Sequence, residues 1–573
     1  MRRPGRARRL PLTGVIIAAL CIAGGVCGAR LCGAAGASPM VAADGIILGV
    51  EDGTTKIFRE PHRFAGARTT SVRLTMARNE VESFQIALHD PQLAVTATVQ
   101  PTPLVHENGR DVIPASQISI REVRYVKTKQ PDYPVARVGW WPDPLVETTV
   151  ISMPAGEVQP VWVEVRTTPE TAPGRYRGFI RVSPTNLHSK GLVVDLDVTV
   201  RQFALPVTGR LQTAFDLYPA RLRQGYEQFR PDAYARWQEH LGVLEHRYFL
   251  SLLEHRMSPL WNTDLNNDGH FEERIAAYLD RGLTAFGIGT HGGSFDNDWF
   301  ADPSALDRQV APYRGMAERL ERRQLLSRAF VYTYDEPAIG DPQVAQVAAA
   351  IHRAHPKLRN LVALGELRDP AAQPEWWKDL DIVCVRNTAA VTAHLEVLRG
   401  WGKEIWLYAS GPSRSYPTLV LDYPAMAARI LPWMCWKANA TGFLYWCVNY
   451  WMKDPWTDPA NTPWGQNANG SLFYPGDDGP VASIRLAALR DGMEDYEYLA
   501  LLSALVGRAK DDAGVTADPA GQALVARAER LLALDPELVE SMQRYSPEAG
   551  VLERNRSAIG ELIDILQQRL GSS

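Results

Sequence analysis

Short runs in which apolar and polar residues alternate fill the first third of the chain, from about residue 44 to 205. Typical runs are SVRLTMARNEVESFQIALHD, QPVWVEVRT and GRYRGFIRVSP, with Gly, Pro and Asn between many of them. A period of two places side chains on alternate faces of a strand, so that one face can be buried. Many short strands with frequent turns are typical of two packed sheets, so residues 44–205 are predicted to form a β-sandwich.

From residue 211 to 480, apolar runs alternate with amphipathic helical stretches such as PQVAQVAAAIHRAH. Repeated strand-then-helix units indicate a parallel sheet with helical crossovers, and eight of them predict a closed (β/α)8 TIM-like barrel. A doubly wound open sheet is the alternative, but the first strand lacks a following Gly-rich phosphate loop. The predicted strands are 211–216, 248–254, 284–289, 329–335, 360–366, 381–386, 404–408 and 442–448.

The last segment, residues 481–573, carries apolar residues at three- and four-residue spacing. SIRLAALRDGMEDYEYLALLSALVGRA and PAGQALVARAERLLAL show this spacing. It predicts a C-terminal helical region that packs on the barrel.

The N-terminus has the layout of a secretory signal peptide. A basic start, an apolar stretch and the small residues AGA at 35–37 predict a signal over residues 1–37, with an uncleaved anchor as the alternative. Without it the chain has 55 basic and 65 acidic side chains, which argues against a nucleic-acid partner or an anionic membrane surface. We therefore expect an exported protein that does not span a membrane after cleavage.

Three cysteines remain after residue 37, namely Cys384, Cys435 and Cys447. Each lies in an apolar run, and their spacing is not that of a disulfide framework. We expect all three to be free thiols buried as small apolar side chains.

Polar residues follow most of the predicted barrel strands, where barrel enzymes place their functional side chains. These strand-end residues are Asp216, Glu254, His291, Asp335, Glu336, Glu366, Asn387, Tyr408 and Asn449. Asp335 and Glu336 are adjacent, and Pro337 prevents a helical continuation, so both can turn toward the mouth. Because two nearby carboxyl groups do not ionise independently, one can be a proton donor while the other stays charged. Cleavage of a glycosidic bond requires that combination.

Adjacency argues against the usual arrangements of two catalytic carboxyl groups. In retaining and inverting glycosidases the two groups flank the bond from opposite sides, whereas sequence neighbours come from one side. Such a pair suits substrate-assisted cleavage, in which a 2-acetamido group attacks its own anomeric carbon. A solvated Asp-Glu-Pro turn is the structural alternative, and both interpretations stay open on this pattern alone.

Six stretches resemble glycoside hydrolase family 123, the β-N-acetylgalactosaminidases. They are RNEVESFQ (78–85), GWWPDPL (139–145), VYTYDEP (331–337), DYPAMAARILPWMCWK (422–437), GFLYWCVNYW (442–451) and SIRLAALRDGMEDYEYL (483–499). The resemblance implies a β-sandwich followed by a barrel, and retaining release of terminal β-linked N-acetylgalactosamine through an oxazoline. It implies that Asp335 orients the acetamido group and that Glu336 is the general acid and then the general base. The loop 467–476 departs from the more acidic loop of many relatives, which leaves the subsites for the leaving group open.

The aromatic run GFLYWCVNYWMKDPW offers further candidates for sugar contacts. Trp446, Asn449, Tyr450 and Trp451 follow the last strand, where rings could stack on a sugar and polar groups could bind its hydroxyls. Rings at such spacing are more often core residues, which is the alternative. Tyr408 and His291 are predicted as additional substrate-binding residues.

Two other polar clusters are predicted to have structural roles. Asp491, Glu494, Asp495 and Glu497 lie on a helix beyond the barrel and are interpreted as ion-pairing and capping residues. The segment Asp264 to Gly269 matches the start of a calcium loop, but Ile275 occupies the position of the bidentate Glu, which favours a plain turn. We expect neither a metal nor a cofactor.

Together these features predict an exported hydrolase that acts on a glycan or glycoconjugate with a terminal β-linked 2-acetamido sugar. A glycosidase of another specificity on the same barrel is the first alternative. A non-catalytic carbohydrate-binding surface protein is the second.

Overall fold

The computed structural model describes residues 46–59, 69–89, 92–186, 191–260, 271–291, 303–413 and 415–571. Three parts follow one another along the chain: a β-sandwich, a barrel-like sheet of eight parallel strands with helices around it, and a C-terminal group of helices. The predicted fold class is confirmed. The proposed signal, residues 1–37, and the segment from Asp264 to Gly269 lie outside the described residues.

Two sheets face each other in the sandwich, with strand orders β1-β3-β10-β7-β8 and β2-β12-β11-β4-β9, and β5 and β6 extend the second sheet. Alternate residues of β12 are buried between the sheets, as the period of two predicts. The strands are β1 (Ile47–Asp52), β2 (Ser71–Arg78), β3 (Val81–His89), β4 (Val95–Pro101), β5 (Leu104–His106), β6 (Val112–Ile113), β7 (Ile118–Lys127), β8 (Trp140–Glu147), β9 (Val150–Met153), β10 (Val158–Arg166), β11 (Gly174–Pro184) and β12 (Leu192–Ala204).

The barrel strands pair in the order β14-β13-β20-β19-β18-β17-β16-β15, and every pair is parallel. They are β13 (Gln212–Asp216), β14 (Pro259–Leu260), β15 (Phe286–His291), β16 (Ala329–Asp335), β17 (Arg359–Leu364), β18 (Ile382–Arg386), β19 (Glu404–Tyr408) and β20 (Gly442–Tyr445). The helices between them are α1 (Pro219–Phe229), α2 (Pro231–Trp237), α3 (Leu241–Glu254), α4 (Phe271–Leu279), α5 (Pro303–Arg322), α6 (Pro342–Ala354), α7 (Thr392–Gly400) and α8 (Met426–Lys437).

The predicted strand 248–254 is wrong, because these residues form the second half of α3. Buried residues of α3 include Leu244, Tyr248, Leu252 and Leu253, which recur at helical spacing once the whole segment is considered. The second barrel strand is the two-residue β14 instead.

Side chains from seven of these strands, together with Ala285 just before β15, fill the barrel interior. This inner cluster contains Ala214, Leu260, Ala285, Phe330, Tyr332, Leu361, Ala363, Ile382, Cys384, Trp406, Tyr408 and Leu444. The barrel is therefore packed rather than hollow, and a ligand can enter only above its uppermost layer. Cys384, Cys435 and Cys447 are free and buried, as predicted.

The C-terminal part contains a hairpin and four helices. They are β21 (Phe473–Pro475), β22 (Pro480–Ala482), α9 (Ile484–Asp511), α10 (Ala513–Thr516), α11 (Pro519–Leu532) and α12 (Ala549–Gly571). Helix α9 packs against α8 and α12. Among the described residues, no helix is both long and apolar enough to cross a membrane.

The acidic cluster on α9 is buried and ion-paired, which confirms its predicted structural role. Asp495 accepts hydrogen bonds from Arg429 at 2.9 Å and from Arg556 at 2.8 Å, while Glu494 accepts one from Arg256 at 3.0 Å. The predicted capping role is wrong, because Ser483 caps the helix by accepting from the backbone N–H of Leu486. The cluster thus stabilises the helix in the interior and lies away from the mouth of the barrel.

Candidate active site

A β-bulge in β16 directs Asp335 toward the barrel interior. Tyr332 pairs with Leu361 on β17 and Asp335 pairs with Ala363, so three residues of β16 span the distance of two on its neighbour. Leu361 and Ala363 both face inward. Without the extra residue, Tyr334 would lie beside Ala363 and Asp335 would point outward, because side chains alternate along a strand.

The extra residue, Thr333, is buried and hydrogen-bonded. Its hydroxyl lies 3.1 Å from Oδ1 of Asn360, and the Asn360 side-chain amide donates to the backbone carbonyls of Ala348 and Asp379. Buried polar groups with satisfied partners hold a local geometry firmly. The bulge is therefore a fixed feature of the strand.

Asp335 is exposed at the mouth and receives a hydrogen bond from the Tyr332 hydroxyl at 2.8 Å. Desolvation by the surrounding wall raises the pKa of Asp335, and the negative charge of Glu336 raises it further. The Tyr332 hydrogen bond and the nearby Arg386 charge act in the opposite direction, because both favour the ionised carboxylate.

Glu336 turns away from Asp335 and crosses above β17. Its backbone has φ of +45°, a left-handed conformation that costs a residue other than Gly about 1–2 kcal/mol. Its N–H donates to the carbonyl of Ala363 at 2.9 Å, and its carboxyl group rests over Gly365, where a Cβ atom would lie 3.1 Å from Cδ. The two neighbouring carboxyl groups thus reach different positions on the rim.

Two side chains hold the same oxygen of Glu336. Arg386, at the end of β18, donates to Oε1 at 2.8 Å, and the hydroxyl of Tyr408, at the end of β19, also donates to Oε1. Burial raises the pKa of Tyr408, and the adjacent Glu336 adds to the shift, so this phenol remains a donor at ordinary pH. The other oxygen, Oε2, accepts no hydrogen bond from the described residues and lies over Gly365, 3.1 Å from where a Cβ atom would be.

A third carboxyl group, from Asp216 at the end of β13, lies near Asp335. Asp216 is buried, which raises its pKa well above the ordinary aspartate range, and the charge of Asp335 adds to the shift. Its position at a strand end was noted from the sequence, but nothing there distinguished it from the other strand-end residues. The mouth therefore contains three acidic groups in different environments.

Aromatic rings form one wall of the mouth. Trp446 and Tyr450 follow β20, are both partly exposed, and have ring centroids 5.0 Å apart. Tyr450 also lies 6.0 Å from Tyr218, the residue two positions beyond Asp216. Trp446 and Tyr450 thus lie where the sequence placed them, beside the end of the last strand.

Asn449 and Trp451 are placed in the core instead. Asn449 is fully buried and exchanges hydrogen bonds with the backbone of Tyr218. Trp451 is also fully buried, donates to Ser471 and packs against Gly225. Their positions do not support the predicted sugar contacts, because the chain turns inward after the strand and buries both side chains.

The remaining strand-end residues named from the sequence lie partly at the rim of the barrel and partly elsewhere in the fold. His291 ends β15 beside Tyr332, and its side chain lies outside the described part. Asn387 is buried and donates to the carbonyl of Pro417, while Glu366 is exposed and paired with Arg368. Glu254 ends α3 and lines a separate cavity of about 170 Å³ with sandwich residues.

Two contacts of the carboxyl pair were not predicted, namely those with Tyr332 and Arg386, and neither was the bulge at Thr333. A charged residue at the end of a predicted strand, such as Arg386, was the available signal. Among the described residues no group of three or more His, Cys, Asp or Glu could hold a metal ion. The described rim is chemically an acid–base site with aromatic walls.

Two family models match the chain. The glycoside hydrolase 123 catalytic domain matches residues 314–502, and the glycoside hydrolase 123 N-terminal domain matches residues 55–184. Together they cover more than half of the chain. The match to the catalytic domain contains Asp335, Glu336, Arg386 and Tyr408. A search among curated proteins found no match to the sequence.

A solved structure shows the same fold. A family 123 glycoside hydrolase from Clostridium perfringens, studied for glycolipid glycan hydrolysis, is 12% identical with a TM-score of 0.66, covering 92% of this chain and 98% of that chain. The Ignisphaera aggregans GH53 catalytic domain is 12% identical with a TM-score of 0.32, and the match covers 50% of this chain and 97% of that chain. This similarity is too low to show a shared fold. On the two family matches, the chain belongs to glycoside hydrolase family 123.

Proposed function

We propose that the protein is an exported glycosidase that releases terminal β-linked N-acetylgalactosamine by a retaining, substrate-assisted mechanism. The observation that carries this proposal is the divergence of two adjacent carboxyl groups at one strand end. Asp335 faces the barrel axis because of the bulge, and Glu336 reaches across β17 to Tyr408. Both come from the same side of the mouth.

This arrangement leaves the opposite side of the sugar without a nucleophile from the pair, so the substrate supplies one. The carbonyl oxygen of the 2-acetamido group attacks the anomeric carbon, and the glycosidic C–O bond breaks as Glu336 gives its proton to the leaving oxygen. Asp335 accepts a hydrogen bond from the acetamido N–H and offsets the positive charge that develops on the ring nitrogen of the oxazoline.

The second step restores the enzyme. Glu336, now a carboxylate, takes a proton from water while that water attacks the anomeric carbon and the acetamido group is released. Two inversions at one carbon give net retention. Arg386 and Tyr408 hold Glu336 through Oε1, which leaves Oε2 for the leaving oxygen and then for water.

The natural substrate class is proposed from chemistry and from the related enzyme. Glycolipid glycans are the substrate class named for the Clostridium perfringens enzyme, and a glycan of this class with a terminal N-acetylgalactosamine is the substrate proposed here. Export is proposed from the pattern of residues 1–37. A glycosidase of other specificity and a non-catalytic sugar-binding protein are the competing functions.

The requirement for the acetamido group gives a direct test. The protein is expected to hydrolyse an aryl N-acetyl-β-galactosaminide about 10³-fold faster, in kcat/KM, than the aryl β-galactoside, because only the first contains the internal nucleophile. Equal rates would contradict substrate assistance and favour another glycosidase. No turnover of either would favour the sugar-binding alternative.

The hydrogen bond from Tyr332 gives a prediction for pH dependence. Asp335 must be charged to act, so kcat/KM falls as the pH drops through its pKa, which lies above the ordinary aspartate value. Tyr332→Phe removes a donor that favours the charged form, so the acid limb is expected to move to higher pH. On the acid limb kcat/KM should fall by up to about tenfold at a given pH, since a hydrogen bond to a charged group contributes about 1.5 kcal/mol, equivalent to about one pKa unit.

The pH profiles of the two enzymes measure this shift. Tyr334→Phe is the matched control, since Tyr334 lies on the same strand but pairs with outward-facing Val362. An acid limb that stays in place in Tyr332→Phe, or moves to lower pH, would show that Tyr332 does not support Asp335.

A further inference from the structure

Trp464 is the most exposed large apolar side chain among the described residues, with 58% of its surface accessible. A single exposed ring is ordinary on a protein surface, whereas exposed rings that lie together can mark a ligand-binding site, so the neighbours of Trp464 decide its role. The sequence features that predicted the site do not include it.

The turn that carries Trp464 is well defined. The N–H of Gly465 donates to the carbonyl of Thr462 at 3.1 Å, which closes a four-residue turn with Pro463 and Trp464 at its centre. Proline is favoured at the second position of such turns and glycine at the fourth. The N–H of Gln466 also donates to the Thr462 hydroxyl. The ring is thus presented from a fixed backbone.

Trp464 continues the aromatic wall of the mouth. Its ring centroid lies 6.1 Å from that of Trp446 at an angle of 74°. Trp446 is itself held in place, because its indole N–H donates to Asn469 and its ring packs against Gly470, where a Cβ atom would lie 2.3 Å away. A ring held in place, with a second ring against its edge, suits binding of a ligand with a flat face, since little side-chain freedom of Trp446 is lost on binding.

The loop that carries Trp464 lies near Glu336, the proposed general acid. Asn469 accepts a hydrogen bond from the N–H of Gly411, and Gly411 lies three residues beyond Tyr408, whose hydroxyl binds Glu336. The side chain of Gln466 also packs on Gly411. The loop with Trp464 therefore lies on the β19 side of the mouth, toward which the carboxyl group of Glu336 extends.

We propose that Trp464, supported by Trp446, forms the subsite for the sugar on the leaving-group side of the bond. This inference rests on the proposed function, in which Glu336 protonates the leaving oxygen. A sugar attached to that oxygen emerges on the Glu336 side, and the apolar C–H face of a pyranose packs on an indole ring while its hydroxyl groups stay in water.

The test compares two substrates that differ only in the leaving group. One is a disaccharide of N-acetylgalactosamine β-linked to galactose, and the other is N-acetyl-β-galactosaminyl azide, whose leaving group is too small to reach Trp464. Trp464→Ala is expected to lower kcat/KM on the disaccharide about tenfold, equivalent to about 1.4 kcal/mol, and to leave the azide within about twofold. Trp464→Phe should recover part of the loss.

Trp401→Ala is the matched control, because Trp401 is also an exposed tryptophan but follows α7 at the other end of the barrel. It is expected to change neither rate. An unchanged disaccharide rate in Trp464→Ala would overturn the subsite, and so would an equal loss on both substrates, which would assign Trp464 to the terminal sugar or to the loop's stability.

Binding of methyl β-galactoside separates this proposal from the catalytic one. Titration followed by NMR should give a dissociation constant about tenfold weaker for Trp464→Ala than for the unaltered protein. Equal binding by both proteins would overturn the subsite. If neither substrate is hydrolysed but the binding difference is found, the catalytic proposal fails while Trp464 stands as a sugar platform.

Discussion

Glu336→Gln is expected to lower kcat/KM by about 10²–10⁴-fold on substrates with poor leaving groups, and far less on activated aryl glycosides. A neutral amide cannot protonate the leaving oxygen, and only a strongly basic leaving group needs that proton. Asp335→Asn is expected to lower kcat/KM by about 10²–10³-fold on every substrate, because the charge that supports the oxazoline is needed whatever leaves.

A series of aryl N-acetyl-β-galactosaminides, from nitrophenyl to unsubstituted phenyl, measures this difference. The dependence of log kcat/KM on leaving-group pKa should be steeper in Glu336→Gln than in the unaltered protein. Asp335→Asn should give a line of the original slope at lower rates. Glu366→Gln is the matched control, since Glu366 is an exposed carboxylate at the neighbouring strand end.

Two results would contradict these roles. If Asp335→Asn and Glu336→Gln both kept full activity, the two residues would form a solvated surface turn, which is the alternative interpretation of the sequence. If the two slopes were the same, the acid would be a different residue. Asp216 would then be the next candidate, because it is buried near Asp335 and its pKa is raised well above the usual range.

Strand positions were predictable where one strong pattern filled the strand. Residues 329–335 and 404–408 were placed with the bounds that the structure shows, because each is a short apolar run with clear polar or proline boundaries. The second strand could not be predicted, since two residues, Pro259 and Leu260, carry no period. The seven-residue apolar run 248–254, which belongs to α3, has the pattern of a strand and was predicted in its place.

Of the residues in the candidate site, the sequence predicts only those that lie at or just after the end of a strand. Asp335, Glu336 and Tyr408 were found because each ends a buried strand, and the structure brings the last two into contact. The bulge was not predictable, because Thr333 is an ordinary residue within a strand. Its consequence, that Asp335 rather than Tyr334 faces inward, depends on register with β17.

The predicted sugar contacts were least accurate for residues that follow a barrel strand but are buried. Trp451 follows the last strand closely and has the chemistry of a sugar-stacking residue, so sequence alone favours the mouth. Its burial depends on the distant Gly225, which leaves room for the ring, and on Ser471 and Phe473, which accept its N–H. Such contacts between remote segments have no local signal.

Two of the stretches that resemble family 123 meet in one buried ion pair, and its removal is expected to have the largest effect on stability. Asp143 in GWWPDPL and Arg485 in SIRLAALRDGMEDYEYL are both fully buried, with 2.8 Å between Oδ2 and a guanidinium nitrogen. Arg485 also donates to the carbonyls of Leu419, Ala468 and Ser471. The pair thus joins the sandwich to α9 and to the loop behind Trp446.

Arg485→Met is expected to lower the free energy of unfolding by about 3–5 kcal/mol, because the buried Asp143 carboxylate loses its hydrogen-bonded guanidinium partner and keeps only the nearby Lys56 charge. Urea unfolding followed by tryptophan fluorescence measures the change. Arg175→Met is the matched control: Arg175 is paired with Asp197 on the sandwich surface, where solvent screens the charges and the loss is expected to be much smaller. Equal losses in the two variants would show that burial does not determine the effect.

A double variant separates the unpaired charge from the lost packing. Asp143→Asn combined with Arg485→Met removes both charges and keeps an acceptor for the hydroxyl of Tyr474, which donates to Asp143 at 2.6 Å. Part of the stability lost in Arg485→Met is expected to return, because the main penalty is a buried carboxylate that has lost its guanidinium partner. If the double variant is less stable than the single one, the hydrogen bonds of Arg485 to the three carbonyls are the larger contribution, and the ion pair serves mainly to position the arginine.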